Sequence, residues 1–511
     1  SGPWVGGGME AGPSRLRRRH PLGVYPLGNS LLDAGAPLRR CAGLGRLSQL
    51  SDDCILGILR NLSACSCAEL ASVSVVLRAF SGYEELWQGF CLQLLDAGGR
   101  ISWPEAGTWR VAYASSVAPR RISSSSLHSS SARVYSDVLY RSFYCGVVDL
   151  DARWLARDSL PRVNARFLSS EDFERRFERQ SRPVILEGFA ESWKARSRWS
   201  RDWLLERFGD VPFAVGPCEL PLRDFYAYAA LNSDEAPLFV FDRFFPDRAP
   251  ALLEDYEVPE FFRGRDLFDL LGADRPAFRW LLIGNRRSGS KWHVDPNKTS
   301  AWNAVVRGRK RWLLLPPGCP PPGVSPSRDG SEVTQPLSLI EWFFNFYGEL
   351  RRYAEQNPSW ELLEGTCGPG DAVFVPCGWW HCVLNLDDDT IAVTQNYASE
   401  THVHSVRRFL REKREQVSGT SSKDSLAERF DAALAASRPD LLKKDPHLHS
   451  VEPREPLAAR ESPMPGSAGA KAPGTFSFWS HLRSTGRCLA FGTASPSAAV
   501  PPCAPAMGER A

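Results

Sequence analysis

The chain has 511 residues, which is enough for two or three domains and at least one sizeable hydrophobic core. Its 62 basic and 59 acidic residues leave a net charge of +3, too balanced for a protein that binds nucleic acid along its whole surface, although local basic patches remain. No uninterrupted apolar stretch of about 20 residues occurs, so a membrane-spanning helix is not expected.

The 13 cysteines are odd in number and form no CxxC pair. Neither a disulfide framework nor a structural zinc site is therefore predicted, and the thiols are interpreted as reduced groups of an intracellular protein. A basic run at residues 15–20 is compatible with nuclear import. We expect the protein in the nucleus, the cytoplasm or both.

The N-terminal third contains a tail, a helical module and a connection. Residues 1–43 are rich in Gly, Pro and Arg and are predicted to form a flexible tail. Apolar residues recur at helical spacing over 44–97, which predicts about three helices, the first capped by Ser51. Residues 98–164 are interpreted as a connecting segment that includes a Ser-rich loop at 123–131.

The rest of the sequence divides into a strand-rich domain at 165–405, helices at 406–440 and a disordered tail at 441–511. The domain begins with helical patterns for which Ser169 and Ser200 are the expected N-caps. Short β-branched and aromatic runs separated by Gly and Pro follow, which is typical of an antiparallel sandwich or barrel. Examples of the expected strands are 238–241, 280–283, 301–306, 312–315, 372–375 and 391–395.

The strongest chemical signal is Trp292-His293-Val294-Asp295. In a β-strand, side chains i and i+2 point to one face, so His293 and Asp295 would project together as an imidazole and a carboxylate ligand. His381 is the best third ligand, because it follows a buried strand and a Cys-Gly turn. Two imidazoles and one carboxylate leave three positions open on an octahedral ion, which suits a non-haem iron(II) oxygenase. From these residues alone, a surface aspartate and two satisfied core histidines remain the alternative.

Two polar residues downstream extend this hypothesis. Asn303 and Lys310 are predicted on the two strands of a hairpin that turns near Arg307 and Gly308. A lysine buried beside the apolar run 312–315 requires an anion, and the distal carboxylate of 2-oxoglutarate would supply it. An exposed turn lysine among neighbouring arginines fits this pattern equally well.

The metal motif belongs to a longer pattern. Its stretches are 286–296 and 299–304 around the motif, then 310–312, 253–256 with 258–259, 379–381 with 385–386, and 394–396. Together they resemble the JmjC oxygenases, and among these the subgroup of the bifunctional arginine demethylase and lysyl hydroxylase once called the phosphatidylserine receptor. The resemblance covers roughly residues 165–405.

This resemblance implies an α+β multidomain protein whose centre is a double-stranded β-helix, the cupin-like jelly roll, with flanking helices. It implies Fe(II) on His293, Asp295 and His381, and 2-oxoglutarate and O2 as co-substrates. The residues expected to contact 2-oxoglutarate are Ser290, Asn303, Lys310 and Thr394. Ser290 stands where the family usually has threonine. The family tyrosine is Phe239 here, and the missing phenol would weaken co-substrate binding by about 1.5–3 kcal/mol.

The N-terminal helical module resembles an F-box. The residues that carry this resemblance are Leu47, Leu50, Asp53, Ile55, Leu56, Ile58, Leu59 and Leu62, followed by Leu86 and Trp87. The partner that it implies is the adaptor subunit of a cullin-type ubiquitin ligase, bound through an exposed apolar helix face.

The sequence is therefore interpreted as an Fe(II)- and 2-oxoglutarate-dependent dioxygenase. Its expected substrates are lysyl or methylarginyl side chains of a protein, either hydroxylated or demethylated through hydroxylation. Two alternatives stay open. The protein could be an F-box substrate receptor of a ubiquitin ligase with a weak or inactive JmjC domain, or a zinc- or manganese-bound cupin-like isomerase with the same ligand set.

Overall fold

The computed structural model of the protein describes residues 19–103, 107–118 and 133–442. The Ser-rich loop expected at 123–131 and nearly all of the tail expected at 441–511 lie outside these ranges. No helix within them combines the length and the apolar character that crossing a membrane requires.

Helices and strands are numbered here in sequence order. The α-helices of the described residues are α1 Ala36–Leu44, α2 Asp52–Arg60, α3 Ala64–Val73, α4 Val75–Ser81, α5 Glu84–Asp96, α6 Trp109–Val117, α7 Asp137–Val147, α8 Ser170–Phe173, α9 Ala195–Arg198, α10 Arg201–Phe208, α11 Leu222–Leu231, α12 Phe245–Arg248, α13 Leu339–Gln356, α14 Val403–Glu412 and α15 Leu426–Ser437. The strands are β1 Val24–Tyr25, β2 Val134–Tyr135, β3 Arg162–Asn164, β4 Val184–Glu187, β5 Pro212–Val215, β6 Cys218–Pro221, β7 Val240–Asp242, β8 Arg279–Gly284, β9 Gly289–His293, β10 Ser300–Arg307, β11 Lys310–Leu315, β12 Ser325–Pro326, β13 Val333–Thr334, β14 Leu363–Cys367, β15 Ala372–Val375, β16 Trp380–Asn385 and β17 Thr390–Tyr397.

Two β-sheets form the centre of the molecule. The larger sheet has the order β3-β4-β15-β10-β17-β8-β7-β5-β6, and the smaller one has the order β14-β11-β16-β9. From β8 to β11 and again from β14 to β17 the backbone passes repeatedly between the two sheets, and the neighbouring strands of this part pair antiparallel. This is the arrangement of a jelly roll, with helices packed around it.

The structure corrects the hairpin predicted for Asn303 and Lys310. Strand β10 pairs with β15 and β17, whereas β11 pairs with β14 and β16, so the two consecutive strands belong to different sheets. The backbone crosses between the sheets at Gly308, whose φ of 69° lies in the left-handed region that glycine adopts without a steric penalty. Asn303 and Lys310 therefore reach the interior from opposite walls.

Alternation along β11 divides its residues between two apolar layers. Trp312 and Leu314 pack in the interior between the sheets. Leu313 and Leu315 face the other way and join Trp342 of α13 in a second cluster. Because both faces of this strand are buried, its sequence is a continuous apolar run rather than an alternating one.

The first described residues differ from the flexible tail predicted for 1–43. Strand β1 pairs in parallel with β2, and Val24 is buried there. The Tyr135 hydroxyl donates to the Asp33 carboxylate at 2.6 Å, and α1 follows soon after. Backbone pairing and burial thus order residues that their composition assigns to a tail.

The 44–97 region contains four α-helices, α2 to α5, where about three were expected. The predicted cap is present, since Ser51 Oγ accepts a hydrogen bond from the Cys54 amide at 3.3 Å. These helices share a hydrophobic cluster with the strand-rich domain. Helix α6, which follows them, has a polar anchor in the domain: Asp234 accepts hydrogen bonds from Trp109 Nε1 at 2.9 Å and from the Tyr228 hydroxyl at 2.6 Å.

The smaller sheet carries a fully buried ion pair on its outer face. Arg311 Nη2 lies 2.7 Å from Glu364 Oε2, and neither side chain is exposed. Arg351 at 3.0 Å and the Tyr347 hydroxyl at 2.8 Å complete the hydrogen bonds of the Glu364 carboxylate. Removing one partner of such a pair leaves the other as an uncompensated buried charge.

We predict that Glu364→Ala lowers the free energy of unfolding by about 3–5 kcal/mol, because Arg311 would stay buried without its carboxylate. Urea unfolding of the variant and the wild type measures this difference. Glu355→Ala is the control, since Glu355 also pairs with Arg351 but is 62% exposed and should contribute only about 0–1 kcal/mol. Equal losses in the two variants would contradict the prediction.

Candidate metal centre

Pairing of β9 with β16 brings the predicted ligands together. His293 and His381 are register partners across this pair, and their ring centroids lie 4.2 Å apart. Asp295 follows β9 by two residues, and its Oδ1 is 4.0 Å from the Nε2 atom of each histidine. Atoms of the three side chains that could bind a metal all lie within 4.8 Å of one another.

Backbone carbonyls orient both imidazoles. His293 Nδ1 lies 2.7 Å from the Lys291 carbonyl, and His381 Nδ1 lies 3.1 Å from the Trp379 carbonyl. Because a carbonyl only accepts, each Nδ1 carries the proton and each Nε2, which faces Asp295, is left as a metal-binding nitrogen.

Burial also keeps these rings neutral. Desolvation lowers the pKa of His293 to about 3, assisted by its neighbour His381, and desolvation lowers the pKa of His381 to about 4. Neutral imidazole is the form that binds a metal ion, so neither ring has to lose a proton near pH 7.

Asp295 shows that the donor set fits a cation. Burial raises the pKa of its carboxyl group, and Oδ2 is buried without a hydrogen-bond partner among the described residues. A buried oxygen without a donor is costly unless a ligand satisfies it. Two imidazole nitrogens and one carboxylate suit iron(II), and a metal ion at this point would supply the missing interaction.

A β-bulge allows Ser290 to join the site. His293 is paired with His381, whereas Ser290 is paired with Val383, so three steps along β9 match two steps along β16. The extra residue reverses the usual alternation of faces. Ser290 and His293 consequently line the same cavity, although their spacing in a regular strand would place them on opposite faces.

Asn303 and Thr394 line this cavity from the larger sheet, where they are register partners of β10 and β17. The Thr394 hydroxyl donates to the Trp302 carbonyl at 2.8 Å, which leaves its oxygen able to accept. Asn303 Oδ1 is buried without a hydrogen-bond partner in the part of the protein that the structure describes. Both residues thus present polar atoms beside the histidines.

Lys310 is not among the residues that line the cavity around the histidines. It shares a strand face with Trp312, and its cross-strand partner Asn385 stands four residues beyond His381, a separation of about 13 Å at ~3.3 Å per residue. Lys310 is 2% exposed.

No carboxylate among the described residues offsets the Lys310 charge, and burial lowers the pKa of this ammonium group to about 8. An uncompensated buried cation is unfavourable, and an anionic ligand would offset its charge. The terminal carboxylate of a dicarboxylate held at the histidines would fit this position.

Several cavity residues were not predicted. Trp312 is stacked on His381 at 6.0 Å between centroids, and Asn396, Phe241 and Trp280 also line the cavity. The signal for Trp312 was present in the sequence, since it stands two residues after Lys310 on the same strand face. Phe241 lines this cavity, and Phe239 packs with it; like Lys310, Phe239 is not among the lining residues, so its place beside the co-substrate stays a prediction.

Comparison with known proteins agrees with this geometry. Residues 170–402 match the family model described as a cupin-like domain. The chain is 41% identical to arginine-specific demethylase JMJ22 of Arabidopsis thaliana over 426 residues, which cover 83% of this chain and 82% of that protein. It is 35% identical to the bifunctional arginine demethylase and lysyl-hydroxylase psr-1 of Caenorhabditis briggsae over 300 residues, or 56% of this chain and 71% of that protein. The 2-oxoglutarate and iron-dependent oxygenase JMJD4 of Homo sapiens is 30% identical over 280 residues, or 48% of this chain and 62% of that protein.

The fold and the site define a cupin-like protein with a two-histidine, one-carboxylate centre. The chain belongs to the JmjC family of oxygenases, and it is an Fe(II)- and 2-oxoglutarate-dependent dioxygenase.

We predict that Lys310→Met stabilises the metal-free protein but weakens 2-oxoglutarate binding. The folded pKa of about 8 lies below the ordinary value of 10.5, so between these values the unfolded state binds more protons and wild-type stability should rise with pH. The methionine variant should lack this rise, and its unfolding free energy at pH 7 should exceed that of the wild type. Urea unfolding at pH 7 and pH 9 measures both effects.

Co-substrate affinity should show the opposite dependence. Only the charged ammonium pairs with a carboxylate, so wild-type affinity for 2-oxoglutarate should fall as pH rises through about 8, and titration calorimetry measures this. Lys194→Met, at an exposed lysine, is the control for both measurements. A Lys310→Met protein that binds 2-oxoglutarate as tightly as the wild type would contradict the assignment.

Proposed function

We propose that the protein hydroxylates lysyl side chains or demethylates methylarginyl side chains of a protein substrate. The observation that carries this proposal is one interior that holds two neutral histidines, a buried carboxylate and a buried lysine that no carboxylate of the described residues pairs with. JMJ22 is named an arginine-specific demethylase, and psr-1 is named for both activities, which supports these two substrate classes. The nucleus or cytoplasm is the compartment that we propose for this activity.

Each polar residue would have a distinct role. His293, Asp295 and His381 would hold the iron, and Lys310 would pair with the far carboxylate of 2-oxoglutarate. When bound, iron(II) with 2-oxoglutarate and O2 supplies the oxidation of a C–H bond, in which one oxygen atom enters the substrate and the other enters succinate as carbon dioxide leaves.

The remaining cavity residues would shape the site. Asn303, Thr394 and Ser290 offer polar atoms around the co-substrate, while Trp312 stacks on His381. The apolar walls, which include Leu282 and Val375, would exclude water. The anion site at Lys310 favours this interpretation over a zinc or manganese isomerase, which shares the ligand set but has no need for a dicarboxylate.

One chemistry serves both substrate classes. Oxidation of a C–H bond on the lysine methylenes gives a stable alcohol. Oxidation of an N-methyl group gives a hydroxymethyl amine, which releases formaldehyde and leaves the arginine with one methyl group fewer. The substrate, not the metal ligands, therefore decides which product forms.

We predict that the purified protein with Fe(II), 2-oxoglutarate and peptides carrying lysine or methylarginine forms succinate. Mass spectrometry should detect the gain of one oxygen atom on lysine or the loss of a methyl group from arginine. His293→Ala should abolish succinate formation, because it removes one ligand nitrogen. His404→Ala, which alters a histidine of α14 outside the site, is the control.

Circular dichroism would establish that both variants are folded. Equal succinate formation by His293→Ala and the wild type would exclude the assigned centre. Succinate formation without modification of any peptide would retain the oxygenase and reject the proposed substrate classes.

We also propose that the α2–α5 module binds the adaptor subunit of a cullin-type ubiquitin ligase, as its resemblance to an F-box implies. The supporting observation is the exposure of apolar side chains on and beside α2: Ile58 is 43% exposed, Leu50 is 36% exposed, and the Cys54 thiol is exposed. Such a face suits a partner helix or groove. The oxygenase would then act as part of a ligase or on its substrates.

We predict that Ile58→Glu abolishes binding to a purified adaptor of this class, because a charge would be buried at the apolar contact. Surface plasmon resonance measures the affinity, and succinate formation should be unchanged. Val117→Glu is the control, since Val117 is 52% exposed on α6, outside the α2–α5 module. An adaptor that binds neither the wild type nor Ile58→Glu would reject this partner.

A further inference from the structure

The segment that carries His293 and Asp295 has little support from the sheets. Strand β9 lies at the edge of the smaller sheet, so only β16 pairs with it there. Asp295 lies beyond the end of the strand. His381, by contrast, is in β16, which is paired on both sides. Two of the three ligands therefore depend on contacts other than regular strand pairing.

A glutamine side chain occupies the open edge directly before His293. Gln335 Oε1 accepts a hydrogen bond from the Trp292 amide at 3.0 Å, and Gln335 Nε2 donates to the Trp292 carbonyl at 2.9 Å. The glutamine amide group thus makes both bonds that a neighbouring strand would make at this residue. Gln335 is held between β13 and α13, in the loop that covers this side of the small sheet.

An asparagine makes the same kind of contact directly after Asp295. Asn297 Nδ2 donates to the Ser418 carbonyl at 3.0 Å, and Asn297 Oδ1 accepts from the Ser418 amide at 3.1 Å. Both residues are buried. The φ of Asn297 is 54°, a left-handed conformation that asparagine tolerates better than most residues. The turn after Asp295 is thereby attached to the segment that follows α14.

The two amide clamps, Gln335 on Trp292 and Asn297 on Ser418, bracket the ligand segment. Each consists of two hydrogen bonds from one planar amide to the backbone of one residue, so each fixes orientation as well as distance. Because the backbone is hydrogen-bonded on both sides of His293 and Asp295, the two clamps restrict the backbone motions that would separate these ligands. Contacts that orient metal ligands commonly change metal affinity when they are removed.

We infer that Gln335 and Asn297 are positioning residues that hold His293 and Asp295 at the spacing required for metal binding. This inference rests on the proposed metal role of those ligands. The clamps also connect the centre to two distant parts of the sequence, the loop before α13 and the segment after α14. The metal site is therefore completed by residues outside the jelly roll.

The test uses the full-length protein with Mn(II) and Co(II) as probes. Gln335→Met removes both bonds at similar side-chain length, and Asn297→Gly removes the amide but retains a residue that adopts a positive φ without strain. Chelator competition measures the affinity, which we expect to fall about 10- to 100-fold in each variant. The visible spectrum of the Co(II) protein should also change, because the ligand geometry is altered.

Gln416→Met is the matched control. Gln416 Nε2 donates one hydrogen bond to the Asp329 carbonyl in the loop between β12 and β13, so this variant removes an amide bond of the segment after α14 while the groups of both clamps are retained. Its Mn(II) affinity and Co(II) spectrum should equal those of the wild type. Hydrogen exchange of the metal-free protein should be faster near residues 289–298 only in the two clamp variants.

Faster exchange with wild-type metal affinity would overturn the inference, because the clamps would then be structural alone. An equal loss of affinity in Gln416→Met would also overturn it. If the wild type forms succinate and the clamp variants bind the probe metals as tightly as the wild type, only this inference is rejected. A wild-type protein that binds neither probe metal rejects the proposed centre together with it.

Discussion

The register of β9 against β16 is the constraint on which the site depends. Directly opposed residues of an antiparallel pair lie about 4.5–5.5 Å apart, so the pairing of His293 with His381 alone brings two imidazoles together. A shift of one residue would turn the ligands to the other face of the sheet. The β-bulge near Val383 adds Ser290 to the same cavity without disturbing the histidine pair. The β-bulge therefore determines which residues of β9 line the cavity.

The same small sheet connects the metal centre with the anion site. Strand β11 lies beside β16 and carries Trp312, which stacks on His381, and Lys310, which is buried further along the same face. The backbone separation of the two positions is set by residue number along paired strands. The larger sheet closes the interior from the other side through the Asn303–Thr394 pair.

Local sequence patterns were sufficient for the strands, and together with the family resemblance they selected the three residues that the fold brings together. The six strands used as examples are all present, with small differences at their ends, since apolar runs and turn residues are properties of short segments. His293 and His381 were recognised from their motifs. The choice of sheet is not local, however. Nothing in the order Asn303, Gly308, Lys310 distinguishes a hairpin from a crossing between sheets, and only the pairing partners of each strand decide it.

Other features depend on residues far apart in the sequence. Strand β1 is only two residues long and is ordered by β2, more than 100 positions later, so composition suggested a tail. Ser290 lines the cavity because of a β-bulge that the sequence of β9 does not predict. The sequence around Gln335 and Asn297 does not indicate their contacts either. A single amide side chain in a loop gives the same sequence pattern whether it is solvated or hydrogen-bonded to a backbone.

Electrostatics couples the two halves of the cavity. Asp295 has a buried oxygen without a donor among the described residues, and Lys310 has a buried ammonium group without a carboxylate among them, at separate positions in one interior. Their separation prevents them from compensating each other. Under the proposed function, a divalent metal would satisfy the first group, and the far carboxylate of 2-oxoglutarate would satisfy the second. Binding of both ligands would thus offset two unfavourable burials, and by linkage the ligands would stabilise the native state. Under the proposed function, the unfavourable burial of these two groups would favour the binding of a metal together with a dicarboxylate.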